Sequence, residues 1–269
     1  MQIKKGRLAA GSAVLALTLL GPTTAAPAEI APPAPLKAGQ LLYERGCAIC
    51  HGAQGKGDGL SAPYLNPKPR DFTTGMFKFR TTASGKLPTD EDLARTIIQG
   101  LNGTAMSPWR ELSKKDIAGL VAYVKTLVQI PQGEQPEPIK VPPQTRFTME
   151  GVKRGERWYA ELECVKCHGQ EGRGDGPSAA ELKDDWNSPI LPADLSQSLR
   201  YKRGAKPVDI YYTLMTGLMG TPMPSYAGVL EKPEDEWDLV YYVYWLSQGK
   251  SFPTAQRQLQ STMESVQAQ

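Results

Sequence analysis

The sequence predicts an all-α chain built from two tandem copies of one unit. Three observations carry this. The block Cys47 to Gly59 recurs without a gap as Cys164 to Gly176, 117 residues further on. Apolar residues in each half recur at spacings of three and four, the helical period. No stretch of useful length alternates between apolar and polar residues as a half-exposed strand does.

The elements follow in chain order. Lys4, Lys5 and Arg7 precede an apolar run from Leu8 to Leu20, and Ala26-Pro27-Ala28 supplies small residues after it. A positive flank, a short apolar core and a small-residue end mark a secretory signal peptide over 1–28. An uncleaved membrane anchor is the competing reading, but the run is shorter than the ~20 residues of a span. Cleavage removes three positive charges and leaves 28 basic against 28 acidic groups. The expected mature chain is neutral and periplasmic, with no integral membrane span. That balance excludes a strongly basic nucleic-acid binder.

The first unit, 36–129, opens with a helix over Gly39 to Arg45. Thr89 caps a second helix with an acidic first turn, in which Leu93, Ile97 and Leu101 repeat at spacing four. Ser113 caps a third, with Ile117, Leu120, Val121, Val124 and Leu127 on one stripe. Five prolines between Ile130 and Pro143 give an extended, stiff connector over 130–148. The second unit, 149–249, repeats the scheme with helices over Gly155 to Leu162, Pro207 to Leu218 and Pro233 to Leu246. A polar tail, 250–269, closes the chain.

The repeated block contains Cys47-Ala-Ile-Cys50-His51 and Cys164-Val-Lys-Cys167-His168, which use every Cys and both His of the chain. Cys-x-x-Cys-His is the attachment pattern of c-type haem. Two thiols one helical turn apart each add to a vinyl group on one porphyrin edge. The adjacent His then sits beneath the iron as proximal ligand. Zinc is the first alternative, but it wants four ligands and each half offers three. A two-residue disulfide leaves the His unexplained, and thioredoxin-like chemistry lacks its βαβ surroundings. Two covalently bound haem c groups are therefore the expected cofactors.

With His and Cys spent, the opposite axial position falls to Met, Lys, Tyr, an amine or no ligand. Met is the usual partner where the task is electron transfer. Met106 and Met223 occupy one repeat column, each 55 residues after its His, each following Gly-Thr-x in a loop between helices. They are the expected metal ligands beside His51 and His168. Met76, Met215, Met219 and Met263 are read as core fillers.

On these motifs each half resembles a class I cytochrome c domain, and residues from about 36 to 249 resemble periplasmic two-domain di-haem cytochromes c. The resemblance implies thioether roles for Cys47, Cys50, Cys164 and Cys167, and short helices wrapped around each haem. It also implies that a Pro carbonyl orients the proximal His, with Pro63 in that place in the first half and Ala180, near Pro177, in the second. Tyr43, Tyr159, Trp109, Tyr226, Tyr123 and Tyr242 are expected to line or support the haem pockets. Arg80, Lys202 and Arg203 are either haem-propionate partners or solvated surface charges.

An iron held between His and Met has no open position, so the expected activity is single-electron transfer in a respiratory chain and not catalysis. The chain then serves a donor and an acceptor redox protein, as a free carrier or as the cytochrome subunit of a larger oxidoreductase complex. A di-haem peroxidase is the alternative; it generally needs a further His, which this chain lacks. Residues 37–128 carry a net +5 and residues 151–249 a net −4, a polarity suited to two different partners.

Overall fold

The computed structural model describes residues 34–128 and 136–251. The segment read as a signal peptide, the start of the connector and most of the tail lie outside the described residues. The first repeat holds α1 (Ala34–Gly46), α2 (Ala48–His51), α3 (Asp90–Gln99) and α4 (Lys114–Leu127). The second holds α5 (Met149–Glu161), α6 (Val165–His168), α7 (Pro207–Thr216) and α8 (Pro233–Ser247). Among the described residues the only extended pairings are isolated bridges, Thr82 with Pro138 and Lys183 with Pro189. The chain is all-α, as predicted.

Local chemistry sets the helix ends. Capping boxes start α3 (Thr89 with Asp92) and α4 (Ser113 with Asp116), each satisfying otherwise orphaned N–H groups. Helices α7 and α8 begin instead with Pro in the first turn, where its missing N–H costs nothing. The apolar spacing carries the expected helices on to Leu101 and Leu218. The structure ends both earlier, because Gly100 (φ 64°) and Gly217 (φ 65°) turn the chain left-handed.

In each repeat the first long helix packs on the last, α1 on α4 and α5 on α8. The crossings are close. A Cβ on Gly39 would lie 1.9 Å from the Gly119 carbonyl oxygen, and one on Gly155 would lie 2.0 Å from that of Asp238. Around the first crossing pack Tyr43, Leu93, Ile117, Leu120, Val121 and Val124. Around the second pack Val152, Tyr159, Trp237, Leu239, Tyr242 and Leu246. Met215, expected as a core filler, is fully buried here.

The two repeats are packed together within one compact unit. Arg80 is fully buried at their junction. Its guanidinium donates from Nη2 to the Thr216 carbonyl (2.6 Å), from Nη1 to that of Phe77 (3.2 Å) and from Nε to that of Ala83 (3.3 Å). Its own carbonyl accepts from Arg203 Nη1 at 2.9 Å. This corrects the reading of Arg80 as a propionate partner or solvated charge: it is enclosed at the junction, off the wall of the second repeat's cavity, and each of its three nitrogens donates to a carbonyl. Arg95 adds a second tie, from Nη2 to Asp209 Oδ1 (2.6 Å) and to the Arg203 carbonyl (2.8 Å). Arg70 lies over the Trp186 ring, 4.4 Å from its centroid, as a third. The connector's end returns to the first repeat, Ile139 N–H donating to the Thr81 carbonyl at 2.8 Å.

Candidate functional site

The two Cys-x-x-Cys-His motifs form matching single turns of helix. The N–H groups of His51 and His168 each donate to the carbonyl of the first Cys, at 2.9 Å. The following Gly52 (φ 78°) and Gly169 (φ 75°) turn the chain away, and a Cβ at either would strike the Asp58 or Asp175 carboxylate at 1.9 Å. The long helix before each motif is pinned to this turn. Tyr43 donates its hydroxyl to the Gly52 carbonyl (2.7 Å), and Tyr159 donates to that of Gly169 (2.8 Å).

Both imidazoles are fixed by a backbone carbonyl. His51 Nδ1 donates to the Arg70 carbonyl (3.2 Å) and His168 Nδ1 to the Ala193 carbonyl (3.0 Å). The expected acceptors, Pro63 and the Ala180 region, are not used; the Pro63 carbonyl instead accepts from Lys68 Nζ at 2.8 Å. The acceptor is the residue after a Pro, in the matching turns Pro69-Arg70-Asp71-Phe72 and Pro192-Ala193-Asp194-Leu195. In both turns the Asp Oδ1 accepts from the N–H two residues on, that of Thr73 or Ser196. The signal was present in the sequence at offset 123, where a comparison held at 117 misses it. The offset returns to 117 at Thr89 and Lys206, the residues preceding α3 and α7. Burial pushes both rings below the usual imidazole range, the carbonyl bond opposing it. A neutral ring with Nδ1–H keeps its Nε2 lone pair for a metal.

The loops carrying Met106 and Met223 are also copies. Leu101 and Leu218 N–H donate to the Met106 and Met223 carbonyls (3.0 and 3.1 Å). Thr104 and Thr221 hydroxyls donate back to the Leu101 and Leu218 carbonyls (2.8 and 2.6 Å) and accept from the Met N–H. Each loop is thus closed by its own hydrogen bonds.

In the second repeat one cavity brings the predicted residues together. Cys164, Cys167, His168 and Met223 all line it. Its walls are largely apolar, with Leu195, Ile210, Leu214 and Val243 among them, and its empty space is about 1320 Å³, part of it open to solvent. Tyr159 and Tyr226 line it as expected, while Tyr242 supports Tyr159 from behind, ring centroids 5.2 Å apart. In the first repeat Tyr43 and Tyr123 pack at 5.1 Å, and His51 stacks on Phe72 at 4.5 Å. Lys202 and Arg203 also face the second cavity, and so do Lys78 and Phe79 of the first repeat, which sequence reasoning had not assigned.

The donor chemistry fits covalent haem. All four Cys are free, and burial pushes the Cys47 thiol up to about 11, with Cys50 adding to it, and raises that of Cys164. Such sulfurs are thiols in an apolar wall, not thiolates gathered on a cation. Among the described residues no group of three or more His, Cys, Asp or Glu is placed to hold a metal ion, as the zinc reading requires. Arg203, 8% exposed, keeps Nε and Nη2 without a hydrogen-bond partner beside the cavity, although Nη2 faces the Asp92 carboxylate at 3.6 Å.

Comparison with known proteins agrees with this chemistry. Residues 34–124 match the family of cytochrome c oxidase cbb3-type subunit III, and residues 152–247 match the cytochrome c family. Cytochrome c-554(547) of Halothiobacillus neapolitanus is 33% identical over 91 residues, which cover 34% of this chain and 93% of that protein. The chain is a di-haem c-type cytochrome. Its two domains bind haem c covalently. The cytochrome is also similar to the cbb3-type cytochrome c oxidase subunit FixP of Azorhizobium caulinodans, 26% identical over 137 residues. That match takes in 51% of this chain and spans 39% of FixP. Among solved structures, the cytochrome resembles a chain of the Kuenenia stuttgartiensis reducing HAO-like protein complex Kustc0457/Kustc0458. The TM-score is 0.75 at 45% identity, covering 79% of this chain and 96% of that one.

Proposed function

We propose that this cytochrome relays single electrons between periplasmic redox partners as the cytochrome subunit of an oxidoreductase complex. His51 with Met106, and His168 with Met223, would be the iron ligands; Cys47, Cys50, Cys164 and Cys167 would carry the thioethers. The observation that carries the reading is the second cavity, which gathers both Cys, the His and the Met of one repeat. When bound, haem c supplies a one-electron iron couple. The protein's part is positional. The Arg70 and Ala193 carbonyls hold each imidazole in one tautomer. The closed loops fix each thioether, whose neutral sulfur favours the reduced metal. The apolar walls exclude water.

Likeness to a chain of the reducing HAO-like complex, nearly end to end, supports the subunit role over a free shuttle. So does the surface beside the first motif. Leu60 and Tyr64 are 83% and 87% exposed, and Ile49 is exposed next to them, its carbonyl accepting from Ser61 N–H. Export rests on the N-terminal pattern, and N-terminal sequencing of the mature protein tests it. The ligand set is tested by the near-infrared charge-transfer band of methionine-ligated ferric haem. Met106→Ala and Met223→Ala should each remove about half of it; a band that survives either change intact rejects that ligand.

A further inference from the structure

The second repeat's cavity is not built by the second repeat alone. Lys78 and Phe79, on the segment between α2 and α3 of the first repeat, form part of its wall. Four of its lining residues are permanently cationic or basic: Lys78, Arg200, Lys202 and Arg203. The carboxylate among the described lining residues is that of Glu163, already paired with Lys166 at 2.6 Å. Arg203 is met from behind the wall by the Asp92 carboxylate at 3.6 Å, which leaves Lys78, Arg200 and Lys202 without a carboxylate partner among the described residues, a wall suited to an anion.

Of the four, Lys78 is the one imported from the other domain. Its ammonium makes no hydrogen bond or ion pair among the described residues. Burial, with Arg70 and Lys202 adding to it and Asp184 opposing, pushes it down to about 8, so it is charged at neutral pH yet poorly compensated. Its backbone is held by the Arg80 anchor two residues on, which ties this segment to Thr216. The base of the Lys78 side chain is thereby held at the cavity wall.

We propose that Lys78 of the first repeat is the cross-domain counter-ion of the carboxylates carried by the second repeat's haem, so that one domain sets the reduction potential of the other. This rests on the proposed seating of that haem between His168 and Met223. A positive charge near the iron disfavours the oxidised, more positive state, so removing it lowers the potential of the second haem. The first haem, in its own domain, serves as the internal reference.

The test is a potentiometric titration of the full-length holoprotein, following the two haems by their separate low-spin EPR signals. Lys78→Met keeps the packing of the stem and removes the charge; Lys78→Gln repeats this with a polar end; Lys78→Arg keeps the charge. In both neutral variants the second couple should fall by about tenfold in its electron equilibrium, or 59 mV for one electron, while the first stays. Lys78→Arg should leave both in place. The couple of the second haem is identified with Met223→His. If that change moves one couple and the neutral Lys78 variants move neither, or move both equally, the counter-ion role is overturned. A shift in Lys78→Arg as large as that in Lys78→Met overturns it too, since the effect is then steric. If Met223→His moves neither couple while Lys78→Met lowers one, the ligand assignment falls; the counter-ion role then stands if the lowered couple is the one lost in Cys164→Ala with Cys167→Ala, and is overturned if it is the one that remains.

Discussion

At the scale of single residues, the fold depends on positions where a side chain is forbidden or wholly enclosed. Gly155 admits the Asp238 carbonyl to within 2.0 Å of where a Cβ would stand. Gly155→Ala should therefore cost roughly 1–3 kcal/mol or more, because backbone and not a flexible side chain must yield. Gly228 is a control: it has φ 74° but open space around it, so Gly228→Ala should cost only the ~1–2 kcal/mol of a left-handed residue. Paired thermal melts of the holoprotein check the difference. Arg80 is the enclosed counterpart. Arg80→Ala strands the three carbonyls it serves, and a loss of about 3 kcal/mol is expected in the same melts.

At the scale of elements, the loop that carries each Met is closed by its Thr. Thr221→Val removes the hydroxyl that donates to the Leu218 carbonyl and accepts from Met223 N–H, while keeping the shape. The loop should loosen by about 1 kcal/mol for each hydrogen bond lost. The near-infrared band then weakens at lower temperature than in the parent, with Thr104→Val doing the same in the first repeat. Much of this scale was legible in the sequence. The motifs at one offset announced the repeat, the Met column fell in matching loops, and the stripe from Ile117 to Val124 is the buried face of α4. The helix ends at Gly100 and Gly217 were missed by two residues, since apolar spacing continues after the backbone has turned. The carbonyls of Arg70 and Ala193 were missed because their Pro-x-Asp turns repeat at offset 123 while the motifs, the Met column and the helix starts repeat at 117. Lys78 and Arg80 were illegible for a different reason: the cavity wall that Lys78 joins, and the Thr216 carbonyl and Arg203 guanidinium that Arg80 meets, lie in the other repeat, far along the chain, and neither periodicity nor composition records such a contact.

At the scale of the whole molecule, the cavity of the second repeat is a largely apolar space, partly open to solvent, which the covalent haem of that repeat is expected to fill. Cys164→Ala with Cys167→Ala should leave that repeat short of its core. Far-UV circular dichroism should then show lost helix and a broadened transition, while the first haem keeps its spectrum. The charge pattern adds a kinetic expectation. With net +5 on one half and −4 on the other, electron exchange with a charged partner should slow as ionic strength rises. A last consequence comes from the changing repeat offset. The second repeat has six more residues than the first between its motif and the Pro-x-Asp turn, and these surround Trp186, which meets Arg70. The first repeat has six more between that turn and α3, in the stretch that also holds Lys78 and Arg80, which meet the second repeat. Each copy is the longer one in a different loop, and each of those loops reaches the other repeat. The halves are thus no longer interchangeable: a pair made of two copies of either one would lack one of the two loops that meet in this contact.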